Sequence, residues 1–197
     1  MRLILEINPE NLSKDVTDSF HIRKAARAVL FDSEGKVALL HVKKHGYHKL
    51  PGGGIEKGES IKNALTRECL EKTGCNIKIE QKIGSIIEYR GQLHLKQISE
   101  CFIATVEGDK GTPSFTKEEE KDQFELIWVN FDEVKGLLEA DLPTDYEGKF
   151  IKVRDRIFIR EAMKLLIPGR GQMDRQSRIK KHAPHSAQPE SKLYKYC

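Results

Sequence analysis

Gly53-Gly54-Ile55-Glu56-Lys57-Gly58-Glu59-Ser60-Ile61-Lys62-Asn63-Ala64-Leu65-Thr66-Arg67-Glu68-Cys69-Leu70-Glu71-Lys72-Thr73-Gly74-Cys75 is a glycine loop that runs directly into a short segment bearing acids one helical turn apart. Ser60 suits an N-cap and Gly74 suits the residue just past a helix C-terminus, so a helix is predicted over Ile61 to Thr73. At about 100° per residue, Ile61, Ala64, Leu65 and Cys69 fall on one apolar stripe. Glu68 projects into the middle of that stripe, with Lys72 almost directly below it and Glu71 on its flank. A carboxylate facing a core is costly unless a cation or hydrogen-bond donor satisfies it. The plain explanation is a helix ion pair, Glu68 to Lys72 at i,i+4.

The glycine loop beside these acids offers a second explanation. Magnesium takes oxygen ligands in octahedral geometry and usually bridges a few carboxylates to substrate phosphates. It can polarise a phosphoryl group or activate a water. A rigid loop leading into a helix with spaced acids suits that chemistry.

The spacing resembles the Nudix box, the signature of hydrolases that split nucleoside diphosphates linked to another moiety. Gly53, Glu59, Arg67, Glu68, Glu71 and Gly74 fall on the pattern, and Cys69 and Cys75 fill its two apolar positions. Lys72 departs from it, standing where the family has the second Glu of a pair. The lead-in Leu50-Pro51-Gly52-Gly53 is also common there. The resemblance implies a magnesium-dependent hydrolase, with manganese as the alternative metal. It assigns Glu68 as metal ligand or general base, Glu71 as metal ligand, Arg67 as the residue that orients the glutamates, and Glu59 as support for the loop. The Gly52 carbonyl would add a metal ligand, and Gly52, Gly53 and Gly54 would line the substrate.

A further acidic ligand is expected from the cluster Glu118-Glu119-Glu120 with Asp122, and Glu120 is the chosen member. Tyr47 is a candidate to stack on a base, while His45 and His48 read as exposed loop residues. Around Arg90 the chain lacks the proline of ADP-ribose pyrophosphatases, and the signature of NADH-cleaving members is absent. Tyr89 lies closer to the box than the tyrosine of dinucleoside polyphosphate hydrolases. The resemblance therefore favours a pyrophosphatase acting on a nucleoside triphosphate or modified nucleotide. Lys72 motivates a rival reading, a nucleotide-binding or regulatory module with weakened catalysis.

The remaining sequence fits an α/β fold. Strands are expected at Leu3 to Ile7, Ala25 to Phe31, Val37 to Val42, Ile77 to Tyr89, Gln97 to Val106 and Phe124 to Val129. Lys43 to Lys49 reads as a loop, and Asp145 to Leu166 carries apolar residues on helical spacing. Strands, a helix, more strands and a terminal helix indicate a mixed sheet covered on both sides. The resemblance likewise implies an α/β/α sandwich.

Composition sets limits. The 197 residues, 38% apolar and 32% charged, suit one domain with an appendage. No run approaches the roughly 18 apolar residues of a membrane span, and the opening residues lack a signal-peptide cleavage site. Cys69, Cys75, Cys101 and Cys197 show no metal-binding spacing and fit reduced thiols, so a cytoplasmic protein is expected. Residues 1–167 read as the domain and 168–197 as a basic, disordered tail with seven Lys and Arg against two acids. The tail raises contact with RNA as an alternative role, although Tyr194 and Tyr196 alone make a thin stacking surface. Monomer and homodimer are both left open.

Overall fold

The computed structural model describes residues 2–166. The tail 168–197, its boundary with the domain, and Cys197 lie outside the described residues.

The centre of the fold is β2 (His21–Phe31), whose interior is apolar on both faces. Ala26, Ala28 and Leu30 point to one side, while Ala25 and Val29 are buried on the other. A strand covered on both faces reads as a nearly continuous apolar run, and this run is what the sequence shows. Along its whole length β2 pairs in parallel with β7 (Leu95–Glu107), from His21 opposite Leu95 to Phe31 opposite Thr105. Antiparallel β6 (Asn76–Arg90) follows, then β1 (Leu3–Ile7) in parallel at the edge.

On its other side β2 diverges. Its middle pairs with β5 (Gly52–Gly54), Arg27 opposite Gly52, and its end meets β3 (Lys36–Val42). β3 in turn carries β4 (Tyr47–Lys49) and β8 (Phe124–Asn130), both antiparallel. The sheet is therefore mixed, as expected.

Helices cover both faces. α2 (Ile61–Thr73) lays Leu65 and Cys69 on Ala26, Ala28, Leu30 and Phe102. The alanines of β2 allow that close approach. α4 (Phe131–Ala140) and α5 (Tyr146–Leu166) pack the opposite face through Val134, Leu138, Phe158, Ile159 and Ala162 against Val29, Leu39, Ile86 and Ile103. The result is the expected α/β/α sandwich. Two short helices, α1 (Lys14–Thr17) and α3 (Lys117–Lys121), and two single 3-10 turns, Lys43–His45 and Gly91–Leu93, complete the described residues. Cys69, Cys75 and Cys101 are free and buried, and burial pushes the Cys69 and Cys101 thiols well up, which leaves them unreactive. Among the described residues no helix is long and apolar enough to cross a membrane.

Candidate active site

The site begins with the two ends of α2. Ser60 Oγ accepts the Asn63 N–H at 3.2 Å, which fixes the first turn. Gly74 ends the helix with φ of 69°, in the left-handed region where a side chain is disfavoured. A Cβ there would also lie 2.4 Å from the backbone of Gly111 and Thr112. The loop after β7 thus folds onto the end of α2, with Gly111 N–H bonded to Gly74 O at 3.1 Å and Ser114 N–H to Glu71 O at 2.7 Å. This docking brings α3 beside the last turn of α2.

Glu68 is buried, at 7% exposure, on the sheet-facing side of α2. Its carboxylate lies against Gly53, where an added Cβ would meet both oxygens at 2.2 Å. Arg67 is the organising cation. Its Nε and Nη2 donate to the two Glu59 oxygens at 3.0 and 2.9 Å, and Nη2 also donates to Gly54 O at 3.0 Å. Nη1 donates to Glu68 Oε1 at 3.0 Å and lies 3.6 Å from Glu71 Oε1. Glu59 further accepts the Glu56 N–H at 3.1 Å. The Arg67 hydrogen bonds, then the Glu56 amide, hold the Glu59 carboxyl below its ordinary value. One guanidinium thereby ties the loop, the helix and three acids into a fixed array.

Lys72 does not pair with Glu68. It is 6% exposed, and its Nζ donates to Glu119 Oε2 at 2.7 Å and lies 3.8 Å from Glu71 Oε2. Glu119 also closes the capping box of α3, accepting the Thr116 N–H at 3.0 Å. Burial alone would raise the Glu119 carboxyl, but the bonds from Lys72 and Thr116 outweigh it and leave it below its usual value.

Two expectations about position are corrected here. Glu120 is exposed on α3, and Glu119 is the member of the cluster that reaches α2. The sequence Thr116-Lys117-Glu118-Glu119 has the capping-box spacing that singles out this residue. Tyr47 is 5% exposed, packed with Val42 and Ile151, and its ring fills the space where a Gly148 Cβ would stand at 2.6 Å. Its ring is thus committed to the core, with no free face for a base. His48 is half-buried, its Nδ1 2.7 Å from Asp141 Oδ1 and its ring stacked on His41 at 4.3 Å. His45 lies 3.5 Å from Asp122.

Sequence reasoning missed the cations behind the glycine loop. Arg23 donates to Gln97 Oε1 at 3.1 Å, and its guanidinium stands 3.2 Å from where a Gly54 Cβ would be. Arg27 is 4% exposed, and its Nε and Nη1 have no acceptor among the described residues. Burial, then Arg154, brings its pKa down to about 9. Lys49 is half-buried, 5.0 Å above the Phe124 ring, and makes no ion pair among the described residues. Burial, then Arg27 and Arg154, lowers its pKa to about 7, with Glu119 and Asp155 pulling the other way. Acids and cations are thus mixed on both sides, Arg67 and Lys72 among the glutamates and Asp155 and Glu88 beside Arg27 and Arg154.

Residues 21–150, about two thirds of the chain, match the family description NUDIX domain. The chain belongs to the Nudix family. It is 30% identical over 116 residues to the oxidized purine nucleoside triphosphate hydrolase of Danio rerio, a match spanning 56% of this chain and 69% of that protein. It is 26% identical over 117 residues to YvcI of Bacillus subtilis, described as an uncharacterized Nudix hydrolase, spanning 59% and 72% of the two chains. The fold also superposes on a MutT Nudix hydrolase from Burkholderia pseudomallei with a TM-score of 0.52 at 18% identity, over 72% of this chain and 98% of that one.

The Gly53 contact makes a selective prediction about this Nudix site. In Gly53→Ala the methyl group displaces the end of a flexible side chain, so the melting temperature should change by only a few degrees. A carboxylate moved by about 1 Å should cost roughly 100-fold in turnover. Turnover that survives the substitution unchanged would rule out Glu68 as a group whose placement matters.

Proposed function

We propose that this Nudix protein hydrolyses a phosphoanhydride bond in a nucleoside diphosphate-linked substrate, a nucleoside triphosphate or modified nucleotide. The observation that carries the reading is the Glu68 carboxylate seated on Gly53 and oriented by Arg67, with Glu71 one turn away and Glu119 reaching over from α3. The name of the Danio rerio relative supports the substrate class.

The donor set fits a hard divalent cation, magnesium or manganese. Among the described residues no three ligating side chains converge on one point. Magnesium tolerates this, since it retains waters and relies on one or two carboxylates plus substrate phosphate. Glu68, Glu71 and the Gly52 carbonyl would hold it, and when bound it would neutralise phosphate charge and polarise the scissile group. The protein's own contribution is positional. Among the described residues only Oε1 of Glu68 is engaged, by Arg67, so Oε2 is the oxygen available either to the metal or to accept a proton from an attacking water. Arg67 keeps that carboxylate and Glu71 in register with the glycine loop. Lys49, Arg27 and Arg23 supply positive potential beside the loop for a polyanionic substrate.

Nucleoside triphosphates, oxidised nucleotides, ADP-ribose, dinucleoside polyphosphates and capped RNA, each with magnesium or manganese, form the decisive panel. Release of phosphate or pyrophosphate from at least one, well above the Glu68→Gln background, is expected. No release from any would favour the second reading, nucleotide binding with weakened catalysis, for which the buried Lys72–Glu119 pair is the specific observation. Preference for capped RNA that disappears on removing 168–197 would give the tail its role.

A further inference from the structure

We propose that the Lys72 ammonium is a resident cation of this site, seated between Glu71 and Glu119, and that it limits the protein to at most one divalent ion. The inference rests on the hydrolase reading for the location of the metal, and on geometry for everything else.

Four acids, Glu59, Glu68, Glu71 and Glu119, meet two basic side chains, Arg67 and Lys72, through ion pairs of 4 Å or less. The local balance is therefore two negative charges, which one divalent cation neutralises. A glutamate at position 72, the residue that the Nudix pattern places there, would change the balance by two units and call for a second ion. The charge of Lys49, which makes no ion pair among the described residues, also acts on Glu119 and lowers the demand further.

The ammonium is not a passing surface group. It is 6% exposed, and a buried ammonium is retained only where carboxylates compensate for its lost hydration. Its partner is already loaded, because Glu119 Oε2 takes both Lys72 Nζ and the Thr116 N–H. Recruiting that oxygen to a metal would break the pair and loosen the first turn of α3. In this chain α3 is thus docked on α2 by a covalently tethered charge, where an acid at position 72 would leave that docking to a free ion.

Manganese alone, without nucleotide, is the probe, titrated into the full chain and counted by electron paramagnetic resonance. Wild type should bind no more than one ion. Lys72→Glu should bind one more, and its melting temperature should fall in chelator and recover with manganese. Lys72→Met should lose the same stability in chelator without recovery, since it removes the cation and adds no ligand. Two or more ions on wild type would overturn the proposal, as would an unchanged count in Lys72→Glu. If Lys72→Glu does not fold without metal, refolding that requires manganese supports the proposal. If it folds under neither condition, Lys72→Gln takes its place: a loss of stability in chelator like that of Lys72→Met supports the proposal, and wild-type stability overturns it. None of these counts depends on hydrolysis, so an inactive substrate panel would leave them standing.

Discussion

Glu68→Gln is expected to lower turnover by about three orders of magnitude, the middle of the range for removal of a general base, while the melting temperature stays within a few degrees of wild type. The amide has the shape of the carboxylate, and its oxygen can still accept from Arg67 Nη1. What disappears is the charge that a proton transfer or a metal ion requires. Glu68 is nearly buried, so losing its charge relieves a desolvation cost and should not unfold the domain. Turnover within a few-fold of wild type would show that the reacting carboxylate lies elsewhere, with Glu71 and Glu119 the next to test.

The second large effect is on stability. Arg154 and Asp155, adjacent on α5, are both fully buried. Arg154 Nε and Nη2 donate to the two Asp155 oxygens at 2.7 and 3.0 Å, and the Leu50 N–H donates to Asp155 Oδ2 at 2.9 Å. Asp155→Ala should cost about 3–5 kcal/mol, the usual effect of leaving a buried charge without its partner. Among the described residues the guanidinium would retain only Glu88 Oε2, 3.5 Å away, with the cation of Arg27 nearby. For a domain of this size the melting temperature should drop by roughly 10 °C. The double variant Arg154→Leu/Asp155→Leu should recover much of the loss, because a buried ion pair exchanges for apolar groups at little net cost. A single-variant loss under about 1 kcal/mol would contradict the pairing. Since Leu50 precedes Pro51 and the glycine loop, the activity of Asp155→Ala should fall along with its stability.

The strong local signals of the chain were legible. β1 and α2 have the bounds predicted for them, because a short apolar run ended by a polar break and a capped helix each declare themselves within a few residues. β4 and β5 were not foreseen, since three-residue strands show no period and Gly52–Gly54 has no side chains to show one. α4 went unread between a strand and the long final helix, although Val134 and Leu138 are four apart and buried. In the site, the position of Glu68 was visible as an acid on an apolar stripe. The partners of Lys72 were not, because Glu119 is 47 residues distant and arrives only through the packing of Gly111 on Gly74. Arg27 drew no attention within an apolar run, and Arg23 lies outside the predicted strand; the structure buries Arg27 beside Arg154 of α5 and leaves Arg23 exposed.

Lys49 adds a consequence for the solution around the protein. A side chain with a pKa of about 7 carries its charge only part of the time at neutrality. A polyanion settling beside it favours the charged form, so each binding event draws up to about half a proton from the buffer. Affinity then weakens as pH rises through 7, in step with the loss of that proton. Calorimetric heats should differ between buffers of unlike ionisation enthalpy for wild type and coincide for Lys49→Met; equal heats in wild type would place the anion elsewhere. On the proposed function, a phosphate ligand beside Lys49 would therefore bring part of a proton with it on arrival and return it on leaving.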